Sequence, residues 1–227
     1  MTTRLLIALG ALAMVFISSC SKEETASDAS ALTFNGSIGE QDLLLFQKGA
    51  FLPGSLGYGS VASDVKLSSS TTNFGWGLEA NGTPDGTITT QFLPNQAYTI
   101  VFFDSASRRK AYIARTILAA NNLSDRPALR FFNCILSASS MVLVNDTNRT
   151  LLSGTAVGSF PSPSNETPFT PSFVHSGKVK LQSTTTGTAL DSIENISLEA
   201  NRFYSFFASG VEGATGVNKP RLHMVAH

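Results

Sequence analysis

Short apolar stretches separated by polar turns dominate the chain after residue 30. The stretches are rich in β-branched and aromatic residues, and clusters of Gly, Asn, Ser and Pro separate them. A long amphipathic helix would repeat its apolar residues every three or four positions, and no segment after residue 30 shows that period. The pattern predicts an all-β protein, with first-half strands at residues 32–35, 42–48, 57–62, 73–79, 86–93, 97–104 and 111–118.

One of these predicted strands alternates aromatic residues with glycine. Phe74, Trp76 and Leu78 fall on one side of the pleat. Gly75 and Gly77 fall on the other side, where a neighbouring segment can approach closely. Such an aromatic row normally fills a sandwich core, and the alternative is a sugar-stacking surface at Trp76.

The pattern of the first half begins again after a polar break at residues 121–127. The matching pairs of segments are residues 31–35 and 128–133, 42–48 and 140–146, 91–103 and 197–207, and 112–116 and 221–225. A repeat at a spacing of roughly 95 residues is too long for a solenoid and fits two consecutive domains.

The size of each repeat fits a sandwich of about seven strands. The sequence therefore predicts two tandem immunoglobulin-like β-sandwich domains, at residues 31–119 and 128–227, with a linker at residues 120–127. These domains follow a lipoprotein signal peptide at residues 1–19 and a flexible tether at residues 20–30.

The second repeat resembles a known family. Its opening strand Leu-Arg-Phe-Phe-Asn133, its next strand ending at Asp146, and the passage from Leu198 through Tyr204 into an aromatic strand are similar to the DUF4397 domain. The first repeat resembles that domain more loosely. The resemblance implies a bacterial extracytoplasmic β-sandwich that often occurs in tandem, and it implies no catalytic residues because the family has no established activity.

The signal peptide is predicted from an apolar run at residues 5–17, which follows Arg4. The run is shorter than the roughly 20 apolar residues of a membrane span, and its basic start and small residues are typical of a secretory signal. The segment from Ile17 to Cys20 resembles a bacterial lipobox, which implies lipidation of Cys20. The alternative is an ordinary signal peptide that contains a cysteine.

The residues after Cys20 bear on localisation. Residues 21–24, Ser-Lys-Glu-Glu, resemble the acidic export tag of surface lipoproteins in Bacteroidetes. Charged residues also simply keep a tether in water. We expect a lipid-anchored outer-membrane protein, and the tag favours the cell surface over the periplasm-facing leaflet.

Charge and cysteine content exclude several function classes. The chain has 16 basic and 16 acidic residues, and removal of Arg4 with the signal leaves 15 against 16, a formal charge of −1. No basic field is present to bind nucleic acid. The only two cysteines are Cys20 and Cys134, so lipidation of the first leaves no disulfide. Cys134 lies in an apolar run and is predicted to be a core residue rather than a nucleophile.

No catalytic motif surrounds the three histidines. His175 is placed in a loop after Pro171. His223 and His227 fall on one face of one strand and have a metal site as one interpretation, but no third ligand is evident, and a terminal histidine is expected to be frayed and solvated. The Asx-rich turn at residues 145–148 is expected to hydrogen-bond to its own backbone, as most such turns do, and calcium binding is the alternative.

Two further features concern the surface. Ser105 and Ser192 lie in Asp-Ser-apolar triplets that resemble the O-glycosylation signal of Bacteroidetes. The proline-rich segment at residues 160–173 either caps the second sandwich with its phenylalanines or presents them as a contact surface, and capping is the favoured interpretation.

The sequence thus predicts no catalytic residue, no metal and no cofactor. It favours a non-enzymatic cell-envelope lipoprotein that acts as a binding, adhesion or structural module. Its expected partner is outer-membrane lipid through Cys20, and a glycan or protein ligand stays open. One alternative is a carbohydrate-active or other hydrolytic accessory protein with an acid-lined site at the domain junction. Another is a pilus-like subunit that lacks or receives a strand.

Overall fold

The structure, a computed structural model, describes residues 27–38, 42–78, 84–105, 108–118, 123, 125–136, 140–153 and 169–227. Their regular secondary structure is β-strand, apart from one short 3-10 helix at Gly216–Asn218. Within the same residues, no helix is long and apolar enough to cross a membrane.

Each half of the chain contributes eight strands within the described residues. The first half contains β1 (Ala29–Asn35), β2 (Leu43–Gln47), β3 (Ala50–Leu56), β4 (Val61–Leu67), β5 (Thr71–Leu78), β6 (Gly86–Gln91), β7 (Ala97–Ser105) and β8 (Arg108–Arg115). The second half contains β9 (Ala128–Leu136), β10 (Met141–Asn145), β11 (Thr150–Ser153), β12 (Thr170–Pro171), β13 (His175–Ser183), β14 (Ala189–Leu198), β15 (Phe203–Val211) and β16 (Arg221–Ala226).

The two halves have the same topology. In the first half, sheet β4-β1-β7-β8 packs on sheet β3-β2-β5-β6, and in the second, sheet β12-β9-β15-β16 packs on sheet β11-β10-β13-β14. Strands β1 and β7 pair in parallel, as do β9 and β15, and the other neighbours are antiparallel. The prediction of an all-β chain with two tandem sandwiches is confirmed.

Two side-chain motifs fix which residues of the halves are equivalent. The Oδ1 atoms of Asn35 and Asn133 each accept a hydrogen bond at 3.1 Å from the backbone N–H two residues later. The hydroxyls of Tyr98 and Tyr204 accept a backbone N–H from the preceding turn, at 2.8 and 3.0 Å. Asn35 therefore corresponds to Asn133, and the preceding residue of β1, Phe34, corresponds to Phe132.

The prediction of seven strands in the first half is wrong by one. The segment 57–62 is a turn followed by the start of β4, and β3 was not predicted. Strand β3 lies at a sheet edge and is mostly exposed, so it lacks the apolar alternation that identifies a strand. It also contains Pro53, which is tolerated at a sheet edge because the strand has a free side.

Each sandwich has its own apolar core. In the first sandwich, both sheets contribute Leu43, Phe74, Trp76, Ile100 and Phe102, together with Ala29, Ala31, Leu45, Leu56, Leu67, Phe92 and Tyr98. The second core consists of Leu129, Ile135, Met141, Leu143, Leu151, Val179, Leu181, Ile196, Leu198, Tyr204, Phe206, Ala208 and Leu222.

The aromatic row of β5 fills the first core, as expected. Trp76 is only 6% exposed, and a Cβ atom added at Gly86 would overlap its ring. The sugar-stacking alternative at Trp76 is therefore wrong. The close approach expected at Gly75 is confirmed, because a Cβ there would lie 3.2 Å from Pro84.

Candidate functional site at the junction of the two sandwiches

Each central strand packs one face against its own sandwich core and the other face against the opposite sandwich. On β7, Ile100 and Phe102 belong to the first core, whereas Val101 and Phe103 belong to a third apolar cluster. That cluster joins sheet β4-β1-β7-β8 to sheet β12-β9-β15-β16, and its buried members are Leu32, Phe34, Val101, Phe103, Tyr112, Ala114, Phe132, Cys134 and Phe207. The sandwiches therefore form four stacked sheets with three apolar layers between them.

Three phenylalanine rings lie at the centre of this junction. The Phe207 ring stacks on Phe34 with the ring centres 4.8 Å apart and on Phe132 with the centres 5.2 Å apart. All three side chains are fully buried. Aromatic pairs at these separations add stabilisation to that of the buried area.

Equivalent residues of the two halves meet at this junction. Gly36 corresponds to Cys134, and a Cβ atom at Gly36 would lie 2.6 Å from the Cβ of Cys134. The halves thus contact each other through the same face, as the subunits of an isologous dimer do. The glycine is required by this close approach, because its φ is not in the left-handed region.

Cys134 is a buried packing residue, as predicted. Its side chain is 1% exposed, and burial raises the pKa of its thiol above the ordinary value. A reactive cysteine needs a lowered pKa and exposure, and Cys134 has neither.

One end of the junction holds a buried arginine. Arg130 of β9 is 2% exposed and reaches across to the first sandwich. Its Nε donates to Ser205 Oγ at 2.6 Å and its Nη2 donates to Thr99 Oγ1 at 2.5 Å, while Nη1 lies 3.5 Å from Thr116 Oγ1. Thr99 and Ser205 are equivalent residues, so this one guanidinium links matching positions of the two halves.

The charge of Arg130 has no carboxylate partner among the described residues. Burial lowers the pKa of its guanidinium to about 9, so it stays protonated at neutral pH. The guanidinium carbon lies 4.4 Å from the ring centre of Phe169 and 5.3 Å from that of Phe132. These aromatic faces and the three hydroxyls stabilise the cation.

His227 completes this polar group. Its Nε2 lies 2.7 Å from Ser205 Oγ. Burial and the positive charge of Arg130 lower the pKa of His227 to about 4, so the ring is neutral at pH 7. A neutral imidazole beside a buried guanidinium avoids a second positive charge at the junction.

A cavity of about 380 Å³ opens beside this group and takes residues from both sandwiches. Its polar walls include Ser63, Asp64, Thr116 and His227, and Tyr98 adds an aromatic edge. Asp64 is the one carboxylate among its described lining residues. The cavity offers hydrogen bonds to a small polar ligand, but it does not offer the two acids of a glycosidase site.

The stability of the protein is expected to fall between pH 6.5 and pH 4 because of His227. In the unfolded chain its pKa is near 6.5, whereas in the fold it is about 4, so the unfolded state binds the proton more tightly in this window. The full loss at pH 4 amounts to roughly 3 kcal/mol or less, since the ring is partly exposed. Urea denaturation of the wild type and of His227→Gln at pH 7 and pH 4.5 measures it.

Subtracting the loss of stability of His227→Gln from that of the wild type removes the contribution of other groups that titrate in this range. An equal loss of stability in His227→Gln would assign the pH dependence to those other groups. The pKa of the imidazole itself is measured by following its NMR signals with pH.

The structure does not bring the other predicted site residues together. Cys20 lies outside the described residues. Ser105 ends β7 in the first sandwich, and Ser192 lies within β14 in the second, where its hydroxyl donates to Glu194 Oε1 at 3.0 Å.

The histidines have structural surroundings. His175 is the first residue of β13 and is buried, with its Nε2 3.0 Å from the carbonyl of Lys178, so the loop prediction for it is wrong. His223 and His227 both face the junction, where His223 lies against Phe34 with the ring centres 5.5 Å apart. The expectation of a frayed and solvated His227 is wrong, because its ring is half-buried and bonds to Ser205. Within the described chain, no three His, Cys, Asp or Glu residues are grouped to hold a metal.

The Asx-rich turn after β10 bonds to itself, as predicted. Asn145 Oδ1 accepts hydrogen bonds from Thr147 Oγ1 at 2.9 Å and from the N–H of Arg149 at 2.8 Å. Asn148 Oδ1 accepts from Lys180 Nζ at 2.5 Å. Asp146 Oδ1 also accepts the N–H of Thr147 at 2.9 Å, so the turn bonds most of its side-chain oxygens internally or to Lys180.

The described end of the proline-rich segment caps the second sandwich. Phe169 packs edge-on against Phe203 with the ring centres 5.0 Å apart, and Phe173 packs against the second core. The capping interpretation is confirmed for these two rings, and residues 160–168 lie outside the described part of the chain.

Sequence reasoning missed Arg130 and its hydroxyl partners. The available signal was a single arginine inside an apolar strand that is buried on both faces.

A comparison of the chain with protein-family models finds no matching family, and a comparison with curated proteins finds no match.

Proposed function

We propose that this protein is a non-enzymatic cell-envelope lipoprotein, held in the outer membrane by lipid on Cys20. Its two sandwiches act as one binding, adhesion or structural module, and the acidic tag after Cys20 supports exposure at the cell surface. The resemblance of the second repeat to the DUF4397 domain is part of this proposal.

The observation that carries the proposal is the sheet-to-sheet junction. Its apolar layer and the Arg130 bridge join the sandwiches into one unit rather than two modules on a mobile linker. A module of this kind transmits force and presents its loops at fixed positions, which suits adhesion and binding outside the cell.

The rival functions receive less support from the geometry. The junction is filled by apolar side chains, and its cavity has one described carboxylate, Asp64, where glycoside hydrolysis uses two acids. A pilus-like subunit would have a strand missing, whereas β1 and β9 each pair with neighbours on both sides.

Labelling with radioactive palmitate tests the anchor. We expect label on the wild type and on Cys134→Ala but not on Cys20→Ser, because the chain has only these two cysteines. The Cys20→Ser variant should also be absent from the outer-membrane fraction. Label that persists in Cys20→Ser would contradict the anchor. Surface exposure is tested by protease treatment of intact cells with mass spectrometry of the released peptides. Recovery of those peptides only after outer-membrane permeabilisation would contradict surface exposure.

A further inference from the structure

A second cavity of about 430 Å³ lies on the second sandwich, away from the junction cavity. Two arginines line it, Arg126 ahead of β9 and Arg149 ahead of β11. The loop before β13 adds Phe173 and Val174, and Ser172 adds a hydroxyl. Three loops at one end of the sandwich thus place two cations around a single opening.

The turn after β10 holds Arg149 in position. Asn145 Oδ1 accepts the backbone N–H of Arg149, and Asn148 takes a left-handed φ of 63°. The guanidinium carbon of Arg149 lies 3.8 Å from the ring centre of Phe173. Stacking fixes the plane of the guanidinium and leaves its N–H edge available to an anion.

Arg126 is held through its backbone. Its N–H donates to the carbonyl of Leu123 at 2.9 Å, and its carbonyl accepts from the N–H of Asn201 at 3.0 Å. The side chain is exposed and lines the cavity. Its neighbour Asp125 accepts a hydrogen bond from Asn201 Nδ2 and is not among the lining residues.

Neither arginine has a carboxylate partner in the described part of the chain. Two unneutralised guanidiniums at one opening match the charge and the planar geometry of a carboxylate. The Ser172 hydroxyl donates to the carbonyl of Leu151, so its oxygen can still accept a hydrogen bond. Val174 is 58% exposed and offers an apolar contact beside these polar groups.

The geometry points to a binding site for a carboxylate-bearing sugar, a uronic acid within a glycan. The arginines bind the carboxylate, the Ser172 oxygen accepts from a sugar hydroxyl, and the C–H face of the ring packs on Val174. A cavity of this size holds one or two sugar rings, and a uronic acid carries the carboxylate, the hydroxyls and the C–H face that these lining residues match. This inference deepens the proposed binding function and rests on it.

Calorimetric titration of the full-length protein in detergent with digalacturonate tests the site. We expect saturable binding that weakens with added salt, and no binding of the neutral digalactoside. Arg126→Ala and Arg149→Ala should each weaken binding at least tenfold. Arg202→Ala is the matched control, because that exposed arginine pairs with Glu199 and does not line the cavity.

Absence of saturable digalacturonate binding, or unchanged affinity in both cavity variants, would overturn the site. Tighter binding of hexaglutamate than of digalacturonate would also overturn it, in favour of an acidic peptide. Far-UV circular dichroism and denaturation midpoints show whether the variants fold. Because binding is measured in solution, its failure is distinct from a failure of palmitate labelling, which tests the anchor.

Discussion

Replacing Phe207 with alanine should lower the free energy of unfolding by about 3–5 kcal/mol. The side chain is fully buried at the centre of the junction and stacks on Phe34 and on Phe132. Its removal leaves a cavity between two sheets, and each sheet is also held by its own sandwich core. We therefore expect one cooperative transition for the wild type and two separate transitions for the variant, in calorimetry and in urea denaturation.

Phe51→Ala is the control for this substitution. Phe51 lies on the edge strand β3 and is 54% exposed, so its loss should cost less than about 1 kcal/mol and leave one transition. Equal losses in the two variants would show that the junction does not contribute the stability inferred for it.

Gly36→Ala should destabilise the protein by about 2–3 kcal/mol through overpacking at the junction. The added methyl group would lie 2.6 Å from the Cβ and 2.9 Å from the Sγ of Cys134, and 3.0 Å from the carbonyl oxygen of Phe102. The Cβ of Cys134 belongs to the facing sheet and cannot rotate away, so relief of that contact requires the two sheets to separate. The change in the urea midpoint at a constant m-value measures the effect.

Gly57→Ala provides the matched comparison. A methyl group at Gly57 would meet Asp42 Oδ1 at 3.4 Å and Ser60 Oγ at 3.7 Å, which are ordinary contacts, and its φ is not left-handed. Its unfolding free energy should stay within about 1 kcal/mol of the wild type. If Gly36→Ala were equally mild, the sheets would be able to move apart there at little cost.

The duplicated sandwich could be predicted because the strand-and-turn pattern appears twice. The residue-by-residue match was partly wrong, since the sequence aligned Ala31 with Ala128, whereas the Asn35 and Asn133 motifs make Ala31 equivalent to Leu129. Two short and continuously apolar segments can be aligned one residue out of step and still match in sequence pattern. Only the pairing of the strands in the sheet fixes which residues are equivalent.

The junction itself could not be predicted. A strand buried on both faces reads as a continuous apolar run, which shows burial but not what covers each face. Residues such as Phe34 and Val101 therefore looked like ordinary core residues. The Arg130 bridge depends on Thr99, which is 31 positions away in the chain, and no local pattern indicates such a contact.

The second cavity was hidden for the same reason. Arg149 and Phe173 lie in different turns, and their stacking follows from the way β10, β11 and β13 are connected. The sequence singled out the turn at residues 145–148 as a calcium candidate. The structure instead uses that turn to hold an arginine.

The self-complementary contact between the halves has a consequence for how the chain must be produced. Either half made alone would expose an apolar sheet face, which includes Phe34 in the first half and Phe207 in the second. Such a fragment should pair with a second copy of itself or aggregate. Tandem fusion replaces that concentration-dependent pairing with an intramolecular one, so the assembled state persists when the protein is dilute.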